Sequence, residues 1–264
     1  MDERQKRDDR EFDASSPANR VMNEKWIADL RPVLRALYAS QLRHPASWND
    51  KSDHAYINNH LIERSIAGLA PRLRGEIIDV GCGQQPYRAY FAHTTRIVAC
   101  DFDDKRGQVD FACPAHAIPV AAESFDAVFC TEVLEHVPDP LAVWREFHRI
   151  LRPGGQVLLT APSYWPAHEL PYDFYRYPEY GLRYLATTAG FEVRELWPRG
   201  GRWALLGQVG MHVLGHYLKL RVLRRVWNDV FLSIDRKRNN PDITIGWTIL
   251  AQKPAGISSR EIST

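Results

Sequence analysis

Residues 75–83 read Gly-Glu-Ile-Ile-Asp-Val-Gly-Cys-Gly, and this stretch decides the fold. A β-rich apolar run ends in two glycines, and a stretch of helical character follows at about Tyr87 to Phe91. Glycines at such a bend let the backbone turn tightly and let a ligand approach without a Cβ in the way. The pattern therefore predicts a strand, a ligand-binding turn and the start of a helix, in that order.

Three further runs have the same buried, strand-like character. They are RIVACD at 96–101, FDAVFCT at 125–131 and QVLLTAP at 156–162. Helical stretches lie between strand-like runs, which is typical of βαβ units in a parallel sheet. We therefore expect an α/β protein in which the carboxyl ends of these strands meet at one edge.

End signals mark the helices. Asp139 is a predicted N-cap with Pro140 at the first helical position, and Pro153-Gly154-Gly155 is expected to end that helix. A later helix is predicted from about Pro178 to Ala189, with Gly190 just after its end. Both helices would lie between strands of the sheet.

Segments outside this pattern are also helical or strand-like. Helices are predicted from 21 to about 42 and from 55 to 70. The runs FEVRELW at 191–197 and TIGWTILAQK at 244–253 resemble strands. About forty residues separate those two runs, and the stretch 203–234 within them predicts one or two amphipathic helices.

Two acids flank the glycine turn. Asp101 ends the second strand 22 residues after Asp79, near the spacing of about 20 expected for an acid that binds a ribose hydroxyl. A dinucleotide fingerprint would need a third glycine where Pro86 stands, and proline removes an N–H that a pyrophosphate would use. A cofactor with a ribose but no phosphate fits better, and S-adenosylmethionine (SAM), a sulfonium cation, is one.

On these motifs the sequence resembles the class I SAM-dependent methyltransferases, over about 75–197 and again near 244–252. IIDVGCG looks like their first motif and VACDFD like their second. ESFDAVFCTEVLEHVPDP and RILRPGGQVLLTAP resemble the branch that contains the ubiquinone and menaquinone methyltransferases. The resemblance implies a Rossmann-like α/β fold: a doubly wound, mostly parallel seven-stranded sheet with N-terminal helices and a helical insertion before the last strand.

The resemblance also implies which residues hold SAM and its product S-adenosylhomocysteine. Asp101 would accept the ribose hydroxyls, and Phe102 would lie against the adenine. Pro114 departs from the branch, which often has Asp there, so the adenine amine contact is expected from backbone atoms or from His116. The implied cofactor residues are Asp79, Gly81, Cys82, Gly83, Asp101, Phe102, Ala115, His116, Cys130 and Thr131.

Two stretches offer groups that can remove a proton from a hydroxyl acceptor. Glu132, Glu135 and His136 follow the fourth strand, and residues 163–177 follow the fifth and add flat aromatic faces. Predicted catalytic residues are His168, His136 and Asp173, and predicted acceptor-binding residues are Trp165, Tyr172, Tyr175 and Arg176.

Other interpretations of these groups stay open. His136 in a backbone hydrogen bond, an ordinary Asp173–Arg176 ion pair and an aromatic lid are the structural alternatives. His168-Glu169 does not begin an H-E-x-x-H motif, because position 172 is Tyr, so no metal is predicted. The stretch His-Glu-x-Pro-x-Asp-x-x-Arg-Tyr at 168–177 also resembles a bacterial methyltransferase subgroup often thought to act on sugars or secondary metabolites.

Composition limits the kind of protein. Of 264 residues, 45% are apolar and 25% charged, and the net charge of +2 does not suggest nucleic-acid binding by bulk charge. No apolar stretch is long enough to span a membrane, and the charged N-terminus does not resemble a secretory signal. The four cysteines form no CxxC pair. We expect a reduced, cytoplasmic protein.

The predicted organisation is a disordered tail at 1–20, a helical cap at 21–72, a SAM-binding domain at 73–254 with a helical insertion at 200–243, and a tail at 255–264. The leading hypothesis is methyl transfer to a small-molecule acceptor, most simply a hydroxyl of a sugar or of an aromatic or secondary metabolite. One alternative is methylation of a lipid-soluble quinone, with the 203–234 helices on the membrane surface. Another is a SAM-binding partner protein without turnover. A monomer and a homodimer are both compatible with the sequence.

Overall fold

The computed structural model describes residues 50–103, 107, 109–215, 217–237 and 242–255. The predicted tail at 1–20, the helix predicted from 21 to about 42, and residues 256–264 of the predicted C-terminal tail lie outside the described residues.

The elements alternate between helices and strands along most of the chain. In order they are α1 (Tyr56–Leu69), β1 (Glu76–Val80), β2 (Arg96–Asp101), β3 (Phe111–Ala112), β4 (Phe125–Thr131), α2 (Pro140–Ile150), β5 (Leu151–Pro162), α3 (Glu179–Thr188), β6 (Glu192–Arg199), α4 (Arg202–Leu214), α5 (Arg221–Lys237) and β7 (Gly246–Gln252). Short 3₁₀ turns cover Ala70–Arg72, Arg88–Phe91 and Leu134–His136.

The seven strands form one sheet in the order β3-β2-β1-β4-β5-β7-β6. β7 runs antiparallel to β5 and β6, and the other neighbouring strands are parallel. The strand order reverses between β1 and β4, and open α/β sheets bind ligands at the carboxyl ends of strands beside such a reversal. The predicted doubly wound, mostly parallel seven-stranded sheet is confirmed.

Strand register places the predicted site residues at one level. Val80 pairs with Cys100 on β2 and with Cys130 on β4, and Cys130 pairs in turn with Leu159 on β5. The four strands therefore end beside one another. The residues that follow them, including the glycine turn, meet at the same edge.

Both faces of the sheet are buried. Neighbouring residues on β1 point to opposite sides, so Ile78 lies in one apolar cluster with Trp144 of α2, and Ile77 lies in another with Ile66 of α1 and Phe129. Covered faces on both sides are the rule for parallel sheets. The described part of the predicted N-terminal cap, α1, is thus one layer of the sheet's own core.

The start of α2 follows the prediction, and its end does not. Asp139 accepts a hydrogen bond from the Ala142 backbone N–H at 3.0 Å, with Pro140 as the first helical residue. The helix ends at Ile150, so the prediction that Pro153-Gly154-Gly155 ends it was wrong. Leu151 already pairs with β4, and these residues form a bulge inside β5.

The predicted helical insertion is a pair of helices. α4 and α5 pack on the first half of α1, where Ala204 and Leu232 join Tyr56 and Ile57 in a third apolar cluster. The buried Asp235 carboxylate of α5 accepts hydrogen bonds from the Gly201 and Ala204 backbone N–H groups at 3.0–3.1 Å and so caps α4 from a neighbouring helix. No described helix is both long and apolar enough to cross a bilayer.

Candidate functional site

The turn after β1 is tied to β2 by backbone hydrogen bonds. The N–H groups of Gly81 and Cys82 donate to the Cys100 carbonyl at 2.8 and 3.1 Å, and the Gly83 N–H donates to Asp101 Oδ2 at 2.8 Å. Gly81 has φ of +67°, and a Cβ there would lie 2.1 Å from Val133 Cγ2. This position therefore requires glycine both for its backbone conformation and for lack of space.

Asp79 lies beneath this turn. Asp79 is only 6% exposed. Burial, followed by repulsion from the neighbouring Asp101 carboxylate, raises the pKa of Asp79 to about 7. The charge of a cationic ligand at this edge would oppose this rise in the pKa of Asp79 by favouring the ionised carboxylate.

The loops beside Asp101 hold the residues expected to border an adenine. Phe102 is 74% exposed, Ala115 is half-buried and His116 is exposed. The Cys113 N–H donates to the Asp101 carbonyl at 2.8 Å, which keeps the 113–117 turn next to the end of β2. The structure thus brings these predicted residues to the same edge as the glycine turn.

The end of β4 supplies the floor of the site. Cys130 is fully buried, and burial together with the Asp79 and Glu135 carboxylates raises the pKa of its thiol well above its usual value. All four cysteines of the chain are free and buried. Thr131 pairs with Thr160 on β5 and ends the strand half-buried.

An ion pair behind this floor was not predicted from the sequence. Arg199, at the end of β6 and 2% exposed, donates from Nη2 to Glu132 at 2.9 Å and to the Ala161 carbonyl at 3.0 Å. Thr160 Oγ1 also donates to Glu132 Oε1 at 2.8 Å. The arginine stands in an ordinary strand pattern, and β7 and β5 lie between its strand and β4, so only the tertiary structure shows that it reaches Glu132. The Glu132 charge is therefore neutralised within the fold.

The loop at 163–177 is held by one arginine. The Arg176 guanidinium donates to both Asp173 oxygens at 2.6 and 2.9 Å and to the backbone carbonyls of Trp165, Pro166 and Tyr175. These contacts use all five of its N–H groups. Arg176, predicted to bind the acceptor, has no donor left for one in this arrangement.

His168 is positioned by Asp173. Its backbone N–H donates to Asp173 Oδ2 at 3.1 Å, and its Nδ1 lies 3.7 Å from the same oxygen. Burial, and then the nearby His136, lowers the pKa of His168 to about 4. The imidazole is therefore neutral at pH 7.

His136 lies next to His168, with ring centroids 4.6 Å apart. Its Nδ1 is 2.8 Å from the Tyr172 carbonyl oxygen. Its Nε2 lies 3.7 Å from Glu135 Oε1 and 3.8 Å from Glu169 Oε2. Two loops that follow different strands thus bring two imidazoles and two carboxylates together.

Glu135 is the most buried acid of this group, with 1% of its surface exposed. Its Oε2 has no hydrogen-bond partner among the described residues. Burial, and then the neighbouring Glu132, raises the pKa of Glu135 well above its usual range. Its backbone carbonyl accepts from the Phe174 N–H at 2.9 Å, which ties the two loops together.

The predicted acceptor-binding aromatics divide into two groups. Tyr172 and Tyr175 are 56% and 39% exposed, and the Tyr175 hydroxyl donates to the Pro138 carbonyl. Trp165 is half-buried and its ring lies 4.8 Å from that of His212 on α4. His212 has no signal in the sequence pattern, and its contact with Trp165 places the helical insertion beside the acceptor loop.

Comparison with known proteins identifies the domain. Residues 78–159 match the family model described as a methyltransferase domain. This stretch is thus similar to methyltransferase domains, in agreement with the resemblance to class I SAM-dependent methyltransferases. This methyltransferase domain is 36% identical over 107 residues to a ubiquinone biosynthesis O-methyltransferase of Xanthomonas oryzae pv. oryzae, covering 34% of this chain and 44% of that protein.

Two further proteins are similar to this chain. The methyltransferase GfsG of Streptomyces halstedii is 27% identical over 148 residues, covering 48% of this chain and 53% of that protein. The crystal structure of the [4+2]-cyclase SpnF has a TM-score of 0.51 and 22% identity, covering 74% of this chain and 81% of that one. The chain thus spans about half the length of the curated relatives it matches, and the cyclase shows shared fold alone.

SAM is the cofactor of this domain, and the residues present fit it. An acid pair, the buried Asp79 and the half-buried Asp101, suits a ligand that carries a sulfonium and an ammonium group. Gly81 leaves no room for a side chain, and Gly83 borders open space. The sequence-based assignment of the individual cofactor residues stays a prediction.

Proposed function

We propose that this chain transfers the methyl group of SAM to a hydroxyl oxygen of a small-molecule acceptor, a sugar or an aromatic secondary metabolite. One observation carries the proposal: the acid-lined glycine turn and the imidazole–carboxylate cluster lie at the same edge of the sheet, on either side of the end of β4. A methyl donor and a proton acceptor would therefore face one space.

SAM supplies a methyl group that is already activated, so the protein mainly aligns the reactants and excludes water. Asp101 and the glycine turn hold the adenosyl part, and Asp79 compensates the positive charge. The 163–177 loop, braced by Arg176, covers the acceptor side. Trp165, Tyr172 and Tyr175 offer flat faces on which a ring can stack.

A hydroxyl acceptor must lose its proton during transfer. His168 is the proposed base and His136 the alternative, because both imidazoles lie in the cluster beside β4. Asp173 acts as a positioning residue, since Arg176 neutralises its carboxylate and its contact is with the His168 backbone. Oxygen as the accepting atom is supported by the printed name of the Xanthomonas relative.

The test combines cofactor binding with turnover. Purified protein is incubated with SAM and a panel of phenols, catechols and sugars, and S-adenosylhomocysteine release is measured with product mass. A gain of 14 mass units on an oxygen supports the proposal. Release of no S-adenosylhomocysteine with any acceptor, despite SAM binding, would instead support a non-catalytic SAM-binding partner, and product without methylation would indicate chemistry of another kind.

The cofactor assignment has its own prediction. D101A should weaken SAM binding by about 1–3 kcal/mol, because ribose hydroxyls lose a charged acceptor. D229A, an exposed acid on α5 paired with Lys51, is the matched control and should bind SAM like the wild type. Equal SAM affinity of D101A and wild type in calorimetry would contradict the role of Asp101.

A second candidate function is favoured by α5. Its outward stripe of Val222, Leu223, Val226 and Val230 is 45–59% exposed, and Arg224 and Arg225 lie nearby on the same helix. Apolar residues flanked by arginines suit a membrane surface, where a lipid-soluble quinone would be the acceptor. Flotation with anionic vesicles at low salt tests this: co-migration that is lost in V222D/V226D supports it, and no co-migration contradicts it.

A further inference from the structure

A chain of hydrogen bonds connects the start of α1 through α4 to the acceptor loop. Its inner end is Gln208 of α4, which is fully buried. Gln208 Oε1 accepts from the Asn58 backbone N–H at 3.1 Å, and Gln208 Nε2 donates to the His54 carbonyl at 2.8 Å. A backbone N–H can only donate and a carbonyl can only accept. These two partners therefore fix which end of the Gln208 amide is oxygen and which is nitrogen.

The orientation of Gln208 sets the tautomer of His212. Gln208 Nε2 also lies 2.9 Å from His212 Nε2. Because an amide nitrogen can only donate, His212 Nε2 accepts and the ring carries its proton on Nδ1. A protonated imidazolium would set two donors against each other. Burial, and then the nearby His54, lowers the pKa of His212 to about 4, so the ring is neutral at pH 7.

The hydrogen-bonded chain ends at the hydroxyl of Tyr164. His212 Nδ1 lies 3.3 Å from Tyr164 Oη, and since Nδ1 carries the proton, the hydroxyl accepts this hydrogen bond. The hydroxyl hydrogen then points away from His212, and the described residues offer it no acceptor. A hydroxyl that accepts one hydrogen bond becomes a stronger donor in the next. Tyr164 thus presents an O–H donor that the described part of the chain does not use.

This donor lies beside a flat ring at the carboxyl edge of the sheet. Tyr164 follows β5, and its backbone N–H donates to the Ile245 carbonyl just before β7 at 2.9 Å. The rings of Tyr164 and Trp165 both contact His212, with centroids 5.9 and 4.8 Å away. Both residues are half-buried, so part of each remains accessible. Adjacent residues of one loop thus place a hydrogen-bond donor and an indole around the same imidazole.

We propose that Tyr164 determines acceptor specificity: its hydroxyl donates to an uncharged oxygen, a carbonyl or a hydroxyl, of an acceptor whose ring stacks on Trp165. Gln208 and His212 are positioning residues that keep the Tyr164 hydroxyl a donor. None of these three side chains supplies a positive charge that would balance a carboxylate. The inference rests on the proposed function and names its substrate class, ring compounds that carry a second, uncharged oxygen besides the hydroxyl that is methylated.

The test measures binding to the full chain with S-adenosylhomocysteine present, so that it needs no turnover. The probes are 4-hydroxyacetophenone and 4-ethylphenol, two phenols of similar shape that differ by one carbonyl oxygen. In calorimetry the wild type should bind the ketone about fivefold more tightly, the factor expected for one neutral hydrogen bond. Y164F keeps the ring and should bind both probes equally. Y184F, an exposed tyrosine on α3, is the matched control and should keep the wild-type preference.

The positioning role has a spectroscopic test. In ¹⁵N-histidine NMR spectra the wild-type His212 should be protonated on Nδ1. Q208E replaces the amide donor by a carboxylate acceptor, so His212 should move its proton to Nε2. Its Nδ1 then accepts from Tyr164, and the preference for the ketone should be lost although Tyr164 is intact. A wild-type His212 protonated on Nε2 would overturn the hydrogen-bonded chain.

Separate readouts keep this inference apart from the proposed function. SAM affinity, measured in parallel, shows whether Y164F and Q208E remain folded. A wild type that does not prefer the ketone, including one that binds neither probe, would overturn the role of Tyr164. An unchanged preference in folded Y164F would do the same, and both results leave methyl transfer standing. A preference that is lost in Y164F, without methyl transfer to any acceptor, would contradict only the proposed function.

Discussion

Asp79 is the residue whose chemistry depends most on its surroundings. It is buried next to a second acid, and its pKa of about 7 means that it is partly protonated near neutral pH. Such a carboxyl group is unfavourable when ionised in the free protein and favourable when a sulfonium lies beside it. Binding of the cofactor and loss of the proton are therefore linked.

This linkage predicts a pH-dependent SAM affinity. Below the raised pKa, SAM must compete with a proton on Asp79, so affinity should rise as the pH increases from 6 to 8, by about tenfold for a single group of pKa 7. D79N, which cannot ionise, should bind more weakly and show a flatter profile. The check is calorimetry in buffers of different ionisation enthalpy, and a wild-type profile as flat as that of D79N would contradict the role of Asp79.

Gly81 is the second residue whose identity the structure restricts, because only glycine fits its backbone conformation and the space beside Val133. G81A would place a methyl group against Val133 in a left-handed backbone, so SAM affinity should fall at least tenfold, about 1.4 kcal/mol. G154A is the control, because Gly154 has φ of +81° with open space around it, far from the turn in sequence. Equal SAM affinities of the two variants, measured by fluorescence or calorimetry, would show that the contact with Val133 does not matter.

Among the elements, α2 shows how much of the fold is local. Its start is set by Asp139 and Pro140, two adjacent residues whose effects need no other part of the chain. Its end is set by pairing of Leu151 with β4, a contact across 26 residues of sequence. Glycines after a helix usually mark its end, but here the tertiary contact ends the helix earlier and turns the glycines into a strand bulge.

The cap of α2 yields a stability prediction. D139A should lower the free energy of unfolding by about 1 kcal/mol, since the Ala142 N–H loses its acceptor. D139S should keep most of this stability because a serine hydroxyl also caps. Urea unfolding with an unchanged m-value is the measurement. A loss in D139S as large as that in D139A would show that the aspartate acts by charge and not as a cap.

On the scale of the whole molecule, the site is assembled from elements that share buried cores. β1, β2 and β4 meet at the cofactor edge, and α1 joins the sheet to α4 and α5 through Ile57 and Ile66. A ligand that binds only the folded sheet edge should therefore stabilise these layers together.

SAM should raise the melting temperature of the protein. At a concentration of 100 times Kd the expected stabilisation is about 2.7 kcal/mol, which corresponds to roughly 5–10 °C for a domain of this size. The same SAM concentration should shift D101A less, in proportion to its weaker binding. Differential scanning calorimetry is the measurement, and absence of any shift in the wild type would contradict cofactor binding at this edge.

Much of the fold was within reach of the sequence because its signals are local. The glycine turn, the N-cap at Asp139 and the strand-like runs each depend on a few neighbouring residues, and all were correctly predicted. The family resemblance added the number of strands, seven, and the mostly parallel, doubly wound sheet. Arg199 and His212 were missed because their roles depend on neighbours that are distant in sequence.

The sequence by itself determined the main strands, the glycine turn and the two acids beside it, because these follow from the chain's own periodicity and from adjacent residues. Only the tertiary structure decided how the two loops after β4 and β5 meet. In the folded protein, all N–H groups of Arg176 donate to Asp173 and to the loop backbone, and Arg199 neutralises Glu132. Glu135, His136 and His168 lie next to one another. Strand register and burial, which act between residues far apart in the chain, are the physical reason.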